Sequence, residues 1–313
     1  MRASCVLMSL WTSFTAVTAA GALGACDLVR HAPSPDAQPG LDGPRPPRDD
    51  LVPALGGPTT LDLAAWNIEN FPKSTRAVAD VADVITSLDL DLVVVEEVAS
   101  VTAWNELVAL LPEHEGLLST HRYTPTSYQK IGLLYRAGTV TVGAPELLFT
   151  GDTWAFPRPP FKVHVQAGGY ELDLIGVHLK AGGAPEDAER RGLAASALDG
   201  YLRAQIADGG EDEVIVLGDY NEVVTTPDGR AVLQPLLDST RYRVRTEPAA
   251  AAGAYSFVPT PGRVIDHITT TVGLDDELGD LPAVIPTLDR EVPRYDADIT
   301  DHLPVVLVMP ERQ

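Results

Sequence analysis

From Leu61 onward, short apolar runs of period two alternate with longer runs of helical period. Leu61, Leu63 and Ala65 alternate with Asp62, Ala64 and Trp66, which predicts a strand. Val78, Val81, Ala82, Ile85 and Leu88 recur at helical spacing. Residues 91–95, Asp-Leu-Val-Val-Val, have the unbroken apolar character of a buried strand. A second helical stretch covers Trp104 to Leu111. Strands are predicted at 131–135, 161–165 and 171–177. A third helix covers Ala188 to Gln205, with Leu193, Ala197, Leu198 and Tyr201 on one face. Further strands follow at 214–217, 264–270 and 304–308. Many strands with a few helices between them predict a two-layer sheet core with helices outside. No internal repeat and no domain break stands out after residue 60.

Before Leu61 the pattern changes twice. Behind Arg2, Val6 to Ala22 form an apolar stretch diluted by Ser and Thr, and the first acidic residue is Asp27. The stretch ends in Leu23-Gly24-Ala25-Cys26, which resembles the bacterial lipobox. That resemblance implies an export signal at 1–25, cleavage before Cys26 and acylation of Cys26. The expected product is an exported lipoprotein of the cell membrane or outer membrane, facing the periplasm or the exterior. The plainer alternative is a signal peptide cut at a small-residue site. Residues 26–60 are rich in Pro, Asp and Gly and read as an extended tether, on the order of 100 Å long if stretched. The alternative for Leu51 to Leu55 is packing on the domain. Residues 61–313 are the expected catalytic domain. With Cys5 in the signal and Cys26 acylated, that domain has no cysteine and no disulfide.

Composition adds one constraint. The 313 residues carry a formal charge of −21. Such a balance argues against sequence-independent coating of nucleic acid, which needs basic stripes. It leaves room for a nuclease whose cleft is made locally positive by a metal ion and a few cationic side chains.

Candidate chemistry lies where the apolar strands stop. Asn67-Ile68-Glu69-Asn70, Glu96-Glu97, His178-Leu179-Lys180, Gly218-Asp219-Tyr220-Asn221, Asp266-His267 and Asp301-His302 each adjoin an apolar strand. Singly, each reads as a turn, a cap or a solvated pair. Six in one chain, each at a rigid strand end, point to a constructed site.

The order of these motifs resembles the endonuclease/exonuclease/phosphatase superfamily, which includes deoxyribonuclease I and the apurinic endonucleases. The matching segments are Trp-Asn-Ile at 66–68, Val-Val-Val-Glu-Glu-Val at 93–98, His-Leu-Lys at 178–180, Gly-Asp-Tyr-Asn at 218–221, Ile-Asp-His at 265–267 and Thr-Asp-His-Leu-Pro-Val at 300–305. The resemblance implies an α/β fold, a four-layer α/β sandwich of two packed mixed β-sheets flanked by helices. It implies Mg²⁺ as cofactor, with Mn²⁺ or Ca²⁺ as alternatives, held by Glu97 with Asn67 and Asp301. Asp219 would orient or deprotonate the attacking water. Asp266 would orient His302, His178 would be the second active-site histidine, and Asn221, Asn67 and Arg158 would contact phosphate. Lys180 could add positive charge or remain a solvated strand end. Glu96 would face the opposite side of its strand from Glu97. Three positions depart from the pattern. Gln129, counting back from the 133–136 strand, stands where a Glu supports the histidine matched by His178, Tyr128 is one place from a phosphate-contacting Tyr, and Thr300 replaces Ser.

These features imply an Mg²⁺-dependent phosphodiesterase, an endonuclease acting on DNA, monomeric, with no protein partner and with the membrane reached through the lipid anchor. The alternatives are a sphingomyelinase-like hydrolase of lipid headgroups and a non-catalytic surface lipoprotein. Only 6% aromatic residues argue against the first. Cys26→Ser should release the protein from membranes with specific activity intact. Membrane retention of an unlipidated mutant, read by fractionation and mass spectrometry, would refute the anchor.

Overall fold

Strands with apolar side chains on both faces need a cover layer on each side. The computed structural model, which describes residues 30–31, 47–260 and 262–312, meets that need with two mixed sheets. In chain order the strands are β1 (Arg30–His31), β2 (Thr60–Phe71), β3 (Leu92–Val98), β4 (His114–Leu118), β5 (Lys130–Arg136), β6 (Thr141–Val142), β7 (Glu146–Leu147), β8 (Phe161–Ala167), β9 (Tyr170–His178), β10 (Val214–Asp219), β11 (Tyr242–Val244), β12 (Asp266–Thr271) and β13 (Val305–Pro310). One sheet runs β1-β4-β5-β3-β2-β13 and the other β11-β12-β10-β9-β8-β6, with β7 also paired to β8. Helices α1 (Ala77–Leu88) and α2 (Val101–Leu110) cover the first sheet, and α3 (Pro185–Ala207) and α4 (Pro227–Leu233) the second. This is the expected four-layer sandwich.

The period-two pattern of β2 therefore separates two buried faces rather than inside from outside. Leu61, Leu63 and Ala65 enter the apolar layer between the sheets, while Ala64, Trp66 and Ile68 pack under α1 and α2. The sheets approach so closely at Gly176 that a Cβ there would lie 2.8 Å from Val94 Cγ1.

Two expectations need correction. Helix α3 begins at Pro185, and Leu193 is 46% exposed. Its buried side is Arg191, Ala194, Ala195, Leu198, Asp199 and Leu202, with Ala197 and Tyr201 partly buried against the same core. Leu193 was therefore a poor guide to the helix orientation.

The expected tether also ends sooner than residue 60. The N–H of Arg48 donates to Asp83 Oδ1 at 2.8 Å and that of Leu51 to Ser87 Oγ at 3.0 Å. Those of Leu55 and Gly56 reach the Leu88 carbonyl at 3.1 and 3.0 Å. Val52 is buried, and Leu51 and Leu55 pack against the same core. The cause is the C-terminal turn of α1, whose carbonyls have no partner within the helix. The domain thus reaches back to about residue 47. The signal segment at 1–25, Cys26 and most of the tether lie outside the described residues.

A chain beginning at Leu61 should be less stable than one beginning at Pro47 by roughly 2–4 kcal/mol, since it loses the burial of Val52 and its neighbours. Urea unfolding checks this, and equal midpoints would show that the segment packs without stabilising.

Candidate active site

Backbone register brings the polar strand ends together. β2 and β3 run parallel, with Asn67 opposite Glu96. In the second sheet Asp219 is paired on one side with His178 and on the other with Asp266. His302 lies just before β13 of the first sheet, and Asp266 opens β12 of the second. The candidate residues therefore meet along the seam between the sheets.

Their side chains form a connected network. His302 Nδ1 lies 3.0 and 2.9 Å from the two Asp266 oxygens, and its Nε2 is 4.0 Å from Asp219 Oδ2 and 3.7 Å from Asp301 Oδ1. The Asn67 amide donates to Asp219 Oδ2 at 3.1 Å and to Glu97 Oε1 at 3.3 Å, while Asn67 Oδ1 accepts the Glu69 N–H at 3.0 Å. Asn221 donates its backbone N–H to Asp219 Oδ1 at 2.8 Å and its amide to Oδ2 at 2.9 Å. His178 Nε2 is 3.6 Å from both Glu97 Oε1 and Asp219 Oδ2.

This geometry bears on three expected roles. The Asn67 amide nitrogen donates to two carboxylates, and its oxygen, with one lone pair on the Glu69 N–H, keeps the second for a metal. Asn221 donates to Asp219 and, at 3.4 Å, to the Leu179 carbonyl, so it positions that carboxylate. Gln129 does not support His178. It accepts from Arg158 Nη2 at 3.2 Å and donates to Asn70 Oδ1 at 2.8 Å. The partner of His178 is Arg158, whose Nη2 lies 2.9 Å from His178 Nε2. Arg158 is buried beside His178, at the ring nitrogen that faces Glu97 and Asp219.

The two histidines are electrostatic opposites. Burial alone would push His302 down, but the charge and hydrogen bond of Asp266, with Asp219 and Asp301 behind them, raise it to about 10. It is an imidazolium at neutral pH. Burial and the Arg158 charge drive His178 well below its ordinary value. With Arg158 donating to Nε2, His178 is neutral, and its buried Nδ1 has no partner. Asp219 is raised by burial and by the Asp266 charge, against the opposing pull of His302. Glu96 reaches across to the second sheet, where a Cβ on Gly218 would lie 2.7 Å from its Oε1. It is completely buried, both its oxygens lack hydrogen-bond partners, and burial raises it well above the usual carboxylate range.

Several supports were not assigned roles from the sequence. Glu69 accepts the Asp301 N–H at 2.9 Å and pairs with Lys73. Thr300 Oγ1 donates to the Asn67 carbonyl at 2.8 Å and accepts the His302 N–H at 3.0 Å. Trp66 and Tyr295 both donate to the His302 carbonyl. Ser256 Oγ accepts the N–H groups of Ile265 and Asp266. Glu69 and Asn70 stood within a quoted motif, but nothing in their identity disclosed their left-handed backbone. Among the described residues, four of the seven non-glycine residues with positive φ are Glu69, Asn70, Glu97 and Asn221, so backbone strain gathers at this site. Lys180 pairs with Asp187 at 2.8 Å, and Tyr128 accepts from the Val101 N–H at 3.2 Å; both are committed elsewhere. His267 is buried against Thr246 and the Glu222 carbonyl.

The donor set fits a divalent cation. Glu97 and Asp301 retain 14% and 24% side-chain exposure and offer hard oxygens. Asp301 is raised by burial and by Glu69, the mark of a crowded acid that a cation would relieve. Among the described residues, Asp219, Asp266 and His302 are also compact enough to chelate. Both Asp266 oxygens, however, already meet His302 Nδ1, and both Asp219 oxygens accept N–H donors. That trio is better suited to moving protons than to holding an ion.

The sequence model of the Endonuclease/Exonuclease/phosphatase family matches residues 64–302. Curated protein sequences yield no match. An endonuclease/exonuclease/phosphatase from Bacteroides vulgatus is 19% identical, with a TM-score of 0.59 over 81% of this chain and 100% of that one. The 3′-5′ exonuclease NExo from Neisseria meningitidis is 16% identical, with a TM-score of 0.60 over 80% of this chain and 100% of that one. The human Nocturnin catalytic domain is 17% identical, with a TM-score of 0.59 over 84% of this chain and 98% of that one.

A histidine raised on folding stabilises the folded state fully below its unfolded value of about 6.5, and that contribution is lost as pH rises through the folded value. Wild type should therefore lose on the order of a few kcal/mol between pH 7 and pH 10.5 that His302→Gln does not lose. Urea unfolding across that range checks this, and parallel curves would show that His302 is not held as an imidazolium.

Proposed function

Because the chain belongs to the endonuclease/exonuclease/phosphatase family, whose members are phosphodiesterase and nuclease hydrolases, we propose that it is a divalent-metal-dependent phosphodiesterase that cleaves nucleic acid, with DNA as its preferred substrate. The observation that carries this reading is the pairing of a buried imidazolium, His302 on Asp266, with a carboxylate, Asp219, 4.0 Å away. One side of that gap can accept a proton while the other stabilises or protonates an oxyanion. A structure of NExo from Neisseria holds a product DNA hairpin, which supports a nucleic-acid substrate for this chain too.

Each residue has a defined task. Asp219, fixed by Asn67 and Asn221, takes a proton from the attacking water, and its raised affinity for protons suits that role near neutrality. His302 supplies positive charge beside the phosphoryl oxygens and a proton for the leaving group. Asp266 keeps the imidazolium charged and turns Nε2 toward the reaction. His178, held neutral, does not act as an acid; Arg158 beside it contributes the fixed positive charge on that side. Glu97 and Asp301 would hold a divalent cation (Mg²⁺, or Mn²⁺ or Ca²⁺), and that ion when bound supplies charge against the phosphoryl oxygens and leaving group. Export and anchoring through Cys26 would place this activity on extracellular or periplasmic DNA.

A panel of duplex DNA, single-stranded DNA, RNA and sphingomyelin, each with Mg²⁺ and with chelator, tests the reading. Chelator-sensitive cleavage of DNA is expected. His302→Ala should lower turnover about a hundredfold or more, and His178→Ala less. Glu97→Gln should raise the Mg²⁺ concentration needed for half-maximal rate. Hydrolysis of sphingomyelin alone, or of nothing on the panel, would overturn the proposal.

A further inference from the structure

Two aromatic side chains remain largely exposed among the described residues, Tyr123 at 43% and Trp154 at 49%. Tyr123 lies on the His178 side of the site, and Trp154 stands on the loop that carries Arg158. Tyr123 Oη donates to Gln129 Oε1 at 3.0 Å, the same oxygen that accepts from Arg158 Nη2 at 3.2 Å. Trp154 lies four residues before Arg158 in the same loop. The two rings are thus tied, one by a hydrogen bond and one by the chain, to the pair beside His178.

Neither ring is loosely held. Tyr123 enters a hairpin closed by a bridge between Thr124 and Ser127, and the His121 ring meets it edge-on at 5.1 Å. The hairpin base is clamped by buried Lys130, whose ammonium donates to the carbonyls of Ser119 and His121 at 2.6 and 2.7 Å. Trp154 stands on a turn in which Ala155 N–H donates to Asp152 Oδ1 at 3.0 Å, with Ala155 and Phe156 buried beneath it. The Arg190 guanidinium lies 4.5 Å from the Trp154 ring centroid and donates to the Trp154 carbonyl at 2.7 Å.

Two rings held at fixed positions, Trp154 with Arg190 over its ring, still offer exposed π-surface to a flat partner. We infer that Tyr123 and Trp154 form an aromatic rim on which bases of a single-stranded nucleic acid stack while its backbone crosses the seam. This inference rests on the nucleic-acid reading of the site. A chain of charge −21 repels a polyanion, so it needs an uncharged source of affinity, and stacking supplies one that tolerates any sequence. Arg190 beside Trp154 adds a local cation for the neighbouring phosphate. A lipid surface fits less well, because the hairpin tip Thr124-Pro125-Thr126-Ser127 offers no aliphatic side chain to bury in hydrocarbon.

The test measures binding of the full chain, in chelator to prevent cleavage, to a fluorescent single-stranded oligodeoxynucleotide and to an abasic strand of equal length and charge. Tyr123→Ala and Trp154→Ala should each weaken binding of the base-bearing strand about tenfold and leave the abasic strand unchanged, whereas Tyr123→Phe and Trp154→Phe should retain most of the affinity. Equal losses on both strands, or none on either, overturn the rim while leaving the proposed activity intact. Loss confined to sedimentation with anionic phospholipid vesicles overturns it in favour of a lipid surface. A wild-type protein that binds neither strand overturns the rim and the nucleic-acid reading together.

Discussion

The ion pair between Asp266 and His302 joins the two sheets at the point where the chemistry is arranged. One partner opens β12 of the second sheet and the other precedes β13 of the first, and both are almost wholly removed from water. Breaking such a pair strands a charge in the interior, so the pair tolerates little displacement. The surrounding structure reflects that demand. Trp66 and Tyr295 hold the His302 carbonyl, Thr300 holds its N–H, and Ser256 holds the backbone of Asp266. The Asn67–Asp219 bond crosses the same seam at 3.1 Å. Catalytic alignment and sheet packing are consequently one problem solved by one set of contacts.

The sequence disclosed the strand ends because apolar runs such as 92–95 and 214–217 stop abruptly in polar residues, a local signal independent of tertiary context. The sandwich followed from the count and order of those runs. What remained hidden depended on partners distant in the chain. Residues 47–60 have no periodicity of their own, because they are ordered by carbonyl and hydroxyl groups that α1 leaves open. Leu193 turns to solvent although Ala197, Leu198 and Tyr201 of its expected face pack inward, because Ala194 and Ala195 take the place it was expected to fill. Gln129 was placed beside His178 by counting along a strand, yet Arg158 comes between them from a different loop. Glu69 lay inside a recognised motif without a role, because its task arises only when the 300–302 turn folds back over β2.

The charge balance acquires a more specific meaning once the cationic groups are located. The surface is acidic overall, while Arg158 and His302 are buried at the seam. Those two cationic groups therefore act where low dielectric strengthens them, at the phosphate in the seam.

The register of the second sheet carries a final implication. His178, Asp219 and Asp266 stand abreast because β9, β10 and β12 are laddered through those positions. Side chains alternate faces along a strand, so a slip of one residue between β10 and either neighbour would turn one of the three away from the others. The row is therefore assembled only while both ladders keep their register, and three side chains from distant parts of the chain depend on one alignment.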